Sequence, residues 1–226
     1  MTPNNEQNPS FWTAKEWLLL GMNVAIFAAI FLIFNNRLPD QVIAQYNFNN
    51  EANRMMSKGS FWLMYAALGV ALPSVLSVMR RIDPRKQNYA RFEGFYQVMR
   101  WGISLFLHSL MVIVILDNMG HKMNVSSIVT GAMGLLWIVI GNRMGQVRST
   151  YFVGIRTPWA LSDDRNWRLT HRLAGRLWVI AGIVMFGSAW FASGFWAMII
   201  MLVCILGSTV APAVYSYLLY RNKANA

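Results

Sequence analysis

The sequence predicts an all-α fold: a polytopic membrane protein with six transmembrane helices and both termini in the cytoplasm. Three observations carry that expectation. Of 226 residues, 56% are hydrophobic and only 13% charged, far from the composition of a water-soluble domain. The apolar residues gather into six stretches, each near the ~20 residues a helix needs to cross a ~30 Å hydrocarbon core while satisfying its own backbone hydrogen bonds. The basic residues alternate in density between successive inter-helix segments, as the retention of Lys and Arg on the cytoplasmic side requires.

The first span is read as Trp17 to Phe34. The polar start, MTPNNEQNPS, lacks the basic beginning and small-residue cleavage site of a secretory signal, so this helix is expected to be retained. An outer loop, 35–60, precedes the second span, Phe61 to Met79, which Pro73 interrupts. The basic inner loop 80–100 leads to the third span, Trp101 to Leu116, with His108 halfway along it. No other span carries an ionisable group near its middle; Cys204, the single cysteine, lies in the sixth span and excludes an internal disulfide. The fourth span runs from Val125 to Gly141, and the long loop 142–176 follows. Only a few residues separate the fifth span, Leu177 to Phe191, from the sixth, Phe195 to Leu219, so these two should form a tight hairpin; Pro212 interrupts the sixth. The chain thus divides into a two-helix part, 1–100, and a four-helix part, 101–226.

Orientation follows from counting Lys and Arg. The amino-terminal segment, the 80–100 and 142–176 loops and the tail hold 1, 6, 7 and 2, whereas loops 35–60 and 117–124 hold 3 and 1. That bias puts both termini and the 142–176 loop inside. It also accounts for the net charge of +11 without nucleic acid, for which a soluble basic domain with a recognisable motif would be needed. Anionic membrane lipids are the expected partners of the surplus cations, at ~1 kcal/mol for each one near the surface.

Within the longest inner loop, LSDDRNWRLTHRLAG reads as a short helix capped by Ser162, with Asp163 and Asp164 where the helix dipole favours negative charge. Arg165, Arg168, Arg172 and Arg176 recur at i, i+3, i+7 and i+11 and share one side, and Asp164 is spaced to pair with Arg168. An interfacial helix resting among lipid phosphates explains this much. The preceding GIRTPW asks for more. Gly154 permits an unusual backbone angle, Pro158 fixes its own and restricts Thr157, and Arg156 brings a planar five-donor fork, so a rigid turn with an arginine at its tip is expected.

The run GNRMGQVRSTYFVGIRTPWALSDDRNWRLTHRLAGRLWVIAG, 141–182, resembles the signature of the SdpI-type immunity protein family. Gly141, Asn142, Phe152, Gly154, Ile155, Arg156, Thr157, Pro158, Trp159, Leu161, Trp167, Thr170, His171, Arg172 and Gly175 match it; Thr150 stands where an asparagine is expected. The outer loop LPDQVIAQYNFNNEANRMMSKG, 38–59, resembles a module found at the amino end of many such proteins. There Leu38, Pro39, Asp40, Val42, Asn47, Glu51, Ser57 and Lys58 fit, whereas Ile43, Gln45, Asn50 and Ala52 depart, Gln45 replacing a histidine. The resemblance implies a bacterial cytoplasmic-membrane protein that protects its host from a secreted peptide toxin and in some members signals to a cytoplasmic repressor. It points to Asn142, Gly154, Arg156, Thr157, Pro158, Trp159, Trp167, His171 and Arg172 as ligand- or partner-binding residues, with His171 and Arg172 acting as a positioned donor pair.

Other functions leave thinner traces. His108, His121 and His171 are the only histidines and none has a partner at metal-ligand spacing; there is no Walker-type phosphate loop and no nucleophile with a recognisable base. No metal, cofactor or catalytic residue is therefore expected, and an intramembrane enzyme is the least favoured reading. A small transporter is the stronger alternative, because Pro73 and Pro212 interrupt spans and broken helices mark midplane sites in transporters. Ordinary bundles tolerate such prolines too.

Overall fold

The computed structural model of the protein describes residues 13–47, 51–121, 123–192 and 194–224; the polar start of the chain and Asn50 lie outside the described residues. Six helical segments are long and apolar enough to cross a membrane, and the chain is a multi-pass membrane protein. The first is α1, Ala14–Phe34. The second begins as α2, Lys58–Tyr65, passes through a π-helical stretch, Ala66–Ala71, and continues as α3, Leu72–Ile82, with Pro73 just inside the start of α3. A 3₁₀ stretch, Lys86–Phe92, leads into α4, Glu93–Asn118. The fourth is α5, Val125–Arg143. After the loop come the short α6, Pro158–Ser162, then α7, Asp164–Phe191, and α8, Gly194–Ala224.

Three boundary expectations need correction. The charged helix and the fifth span are one unbroken α7, so the arginine stripe is the first four turns of a membrane helix and not a separate rod lying on the surface. Ser162 ends α6 instead of capping α7: its hydroxyl donates to Trp159 O, and Asp163 caps α7 by accepting from Arg165 N at 2.8 Å. Arg100, assigned by sequence to the inner loop, sits seven residues inside α4 and is 0% exposed, its guanidinium 5.3 Å from the Tyr96 ring centroid.

The loop between the first two spans holds an antiparallel hairpin, β1 Gln41–Tyr46 and β2 Ala52–Ser57, the one sheet among the described residues. Several of its residues that fit the amino-terminal module hold it in place. Val42 and Leu38 are buried against Phe61, Trp62 and Tyr65. Asn47 closes the turn, its Oδ1 accepting from Glu51 N at 2.8 Å, and Ser57 Oγ caps α2 by accepting from Ser60 N. Lys58 pairs with Asp40 at 3.4 Å. The hairpin docks on the end of α4, where the Asn118 amide imitates a neighbouring strand: Oδ1 accepts from Ile43 N (2.7 Å) and Nδ2 donates to Ile43 O (3.2 Å). Tyr46 donates to Asp117 at 2.8 Å, and burial together with that carboxylate holds its hydroxyl above the ordinary tyrosine pKa.

Of α1, only Glu16, Leu19 and Asn23 are buried, and two of the three are polar. They face a polar row on α4, where Arg100, Ser104 and His108 recur every four residues. Asn23 Oδ1 accepts from Ser104 Oγ and from His108 Nε2 (3.1 Å), which leaves His108 Nδ1 to accept the Tyr65 hydroxyl at 2.8 Å. His108 is therefore tied between α1 and α2 as a helix-to-helix bond.

The α5–α7 contact is the most extensive between two helices, and glycine lets the backbones meet. A Cβ at Gly134 would lie 2.7 Å from Gly182 O, and one at Gly175 would lie 2.7 Å from Gly141 O. As one helix's numbers rise the other's fall, so the pairs describe an antiparallel crossing with backbones in contact, the way helices associate where lipid gives no hydrophobic gain. This axis carries the loop that follows α5.

Candidate functional site

Past a 3₁₀ turn, Met144–Gln146, the chain leaves helical geometry until α6, and the intervening loop is pinned to α7. Gly154 has φ +111°, a backbone region open to glycine, and there is no room for a side chain: a Cβ would lie 2.4 Å from His171 Nε2. That nitrogen accepts from Ile155 N at 3.0 Å, while Nδ1 donates to Trp167 O at 2.9 Å, so both ring nitrogens are engaged. The Trp167 ring stacks on the imidazole with centroids 4.1 Å apart, and its Nε1 donates to Val147 O at 2.9 Å. Thr150, despite not being asparagine, closes the turn by donating to Val153 O at 2.9 Å.

The end of the loop is set by Thr157 and Pro158. Thr157 caps α6, its Oγ1 accepting from Ala160 N, and Pro158 stands in the first turn of α6, where no backbone donor is needed. Thr157 also meets Ser216 of α8 at 2.6 Å, and Asn166 Nδ2 donates to Ser216 O. Trp159 packs edge-on against Tyr217 of α8, centroids 5.0 Å apart. The Lys223 ammonium, 2.9 Å from Asp163, helps hold that capping carboxyl below the usual range.

A further anchor, Asp83, was not singled out by sequence. This residue, 1% exposed, ends α3, and its Oδ2 accepts from Tyr151 N (3.0 Å), Phe152 N (3.2 Å) and the Tyr89 hydroxyl (3.0 Å). Arg85 reaches across as well, donating to Ser149 Oγ and Leu161 O, while Asn88 donates to Ser149 O. The signal was present: Asp83 is the sole acid between Arg80 and Arg91, and it precedes Pro84 at a helix end, where Asp-Pro favours a turn.

The nine predicted site residues separate into three groups. Gly154, Arg156 and Thr157 line a mainly apolar cavity of about 510 Å³ between α4, α5, α7 and α8, where Arg156 is exposed and donates to Tyr151 O at 2.7 Å. Asn142 and Arg172 lie on the other side of the α5–α7 axis, in an open groove of about 480 Å³ floored by Gly141, Gly145 and Gly175 and shared with Arg176. Trp167, His171, Pro158 and Trp159 make the frame. His171 and Arg172 thus do not form a donor pair: successive helix residues point about 100° apart, the first is 0% exposed with Nε2 an acceptor, and the second is exposed. Arg165, Arg168 and Arg176 are exposed as the spacing requires, and the expected Asp164–Arg168 pair is absent from the ion pairs of the described residues.

Comparison with known proteins places this geometry in a family context. Residues 146–216 match the SdpI/YfhL protein family, and residues 22–69 match a domain of unknown function, DUF1648. The chain is similar to Immunity protein SdpI of Bacillus subtilis (strain 168), 29% identical over 118 residues; the alignment covers 52% of this chain and 56% of that relative, so it spans little more than half of either. No solved structure matches the chain. The stretch that matches the SdpI/YfhL family model therefore takes in the pinned loop, α6, α7 and most of α8, and in this multi-pass membrane protein it follows the stretch that matches DUF1648.

Proposed function

We propose that the chain is a non-enzymatic membrane immunity protein that protects its host cell from a secreted peptide toxin. The similarity to Immunity protein SdpI carries this reading. The basic-residue count supports an orientation with both termini and the 142–176 loop in the cytoplasm and the hairpin outside, where a secreted peptide arrives first. Asn142, Arg172 and Arg176 then present a cationic groove to the cytoplasm, suited to an acidic face of a cytoplasmic repressor or to anionic lipid headgroups. Because the loop's interior hydrogen bonds are met by His171, Asp83 and Thr150, these outward cations are free to serve a partner. The test is survival of a toxin-sensitive host carrying the chain when challenged with the secreted peptide fraction of a producing strain. Arg172→Gln should reduce protection at unchanged membrane abundance, Arg165→Gln should not, and equal survival with and without the chain would refute the reading.

Transport is kept as a second reading by one observation, the polar row of Asn23, Ser104 and His108 between α1 and α4. Solute flux in proteoliposomes that falls on Asn23→Leu would favour it.

A further inference from the structure

We propose that the cavity beneath the pinned loop takes one acyl chain of an anionic phospholipid, with the phosphate held at Arg156. The cavity, about 510 Å³, falls within the range of ~300–1,000 Å³ usual for small-molecule sites. Its walls are mainly apolar side chains from four spans, among them Met99 and Ile103 of α4, Leu136 and Ile140 of α5, Trp178 of α7 and Ala213 of α8. Along α5 and into the start of the turn that follows it, the lining runs from Leu136 to Met144, about 12 Å at 1.5 Å per residue, a depth suited to a chain and not to a compact polar solute. Thr209, also on the wall, is exposed on the flank of α8, so the cavity communicates with the bilayer side of the bundle.

Only one end of the cavity is charged. There Arg156 spends one N–H on Tyr151 O, leaving other donors of its planar fork, and it has no carboxylate partner among the described residues. An apolar slot that ends at a guanidinium is complementary to a tail that ends at a phosphate, which arginine can grip through two N–H groups. Position argues against the toxin as occupant: the cavity adjoins the signature loop, at the opposite end of α4 from the hairpin, whereas lipid of the adjoining leaflet reaches it laterally. That assignment to a leaflet rests on the orientation proposed above; the fit of tail and phosphate does not. Seated there, the lipid would touch Gly154 and Ile155, the residues pinned by His171, and so tie the loop to membrane composition.

The full chain is reconstituted in nanodiscs of phosphatidylcholine mixed equally with phosphatidylglycerol, extracted in mild detergent, and weighed by native mass spectrometry. Wild type should retain one phosphatidylglycerol in preference to phosphatidylcholine. Arg156→Gln should lower that preference about tenfold, and Ala213→Phe, which fills the slot, should remove retention of either lipid while thermal unfolding shows the protein folded. Ala213→Leu replaces it should phenylalanine prevent folding. Wild type emerging without lipid, a preference indifferent to Arg156, or undiminished retention by a folded Ala213 variant would each overturn the proposal. No toxin is involved, so failure here leaves the immunity reading to its own test.

Discussion

A single methyl group at residue 154 tests how the signature loop is held. In Gly154→Ala the backbone keeps φ near +111°, which costs an alanine about 1–3 kcal/mol. The new Cβ would also stand 2.4 Å from His171 Nε2 and 3.0 Å from the Trp167 ring, so the imidazole has to retreat. Its retreat strands the buried Ile155 N–H, a further ~1–3 kcal/mol. Together these amount to roughly 2–6 kcal/mol, a large share of the ~5–15 kcal/mol that holds a typical domain. The assay is thermal unfolding of purified protein in detergent, with membrane abundance measured alongside. Gly207→Ala is the control: nothing lies within 4 Å of its Cβ position in α8, so it should not destabilise. His171→Ala, combined with Gly154→Ala, separates the contributions, because the double variant loses the collision but keeps the φ strain and should cost less than the sum of the singles. If Gly154→Ala unfolds with wild type and Gly207→Ala, or if the double variant is strictly additive, the loop is not locked by the imidazole and the reasoning fails.

Asp83→Ala should cost about 2–5 kcal/mol by leaving Tyr151 N, Phe152 N and the Tyr89 hydroxyl without their acceptor, and hydrogen exchange at the two amides should quicken most; unchanged exchange there would remove Asp83 as an anchor. Orientation is checked in a Cys204→Ser background, where Ala52→Cys should react with an impermeant thiol reagent in whole cells and Ser162→Cys only after lysis, both positions being exposed; labelling of 162 from outside would invert the topology.

Span number and placement were legible because hydrocarbon thickness imposes an apolar run that needs no tertiary knowledge. The α7 boundary was not: charge along its first four turns reads as an interfacial rod, and only packing of Trp167, Thr170 and Ala174 against neighbouring elements shows that the helix runs on. Gly154 was legible as an unusual backbone position because few residues tolerate such angles. His171 was misjudged because sequence gives its neighbour Arg172 but not the direction of the ring, which the Ile155 amide decides. Nor could spacing couple Asp83 to Tyr151, 68 residues away. The glycines of α5 and α7 were in view, two of them as signature matches, yet their pairing across an antiparallel crossing depends on helix register.

Helix α4 has a grip at each end. At 26 residues it is about 39 Å long; Asn118 and Asp117 hold the hairpin at one tip, and Phe95, Tyr96 and Met99 belong to the same core as Val153 and Ile155 at the other. A helix is stiff along its axis, so a push on the hairpin would reach the loop as displacement of the rod. The hydrogen bonds that Ser104 and His108 make to Asn23 would give that rod discrete resting positions. Small slips are resisted by bent hydrogen bonds, and a slip of one full turn, ~5.4 Å, would bring Arg100 or Ser104 to the level now held by the next group along the row. Motion passed along α4 would therefore come in steps, with the resting step set by an asparagine, a serine and a histidine.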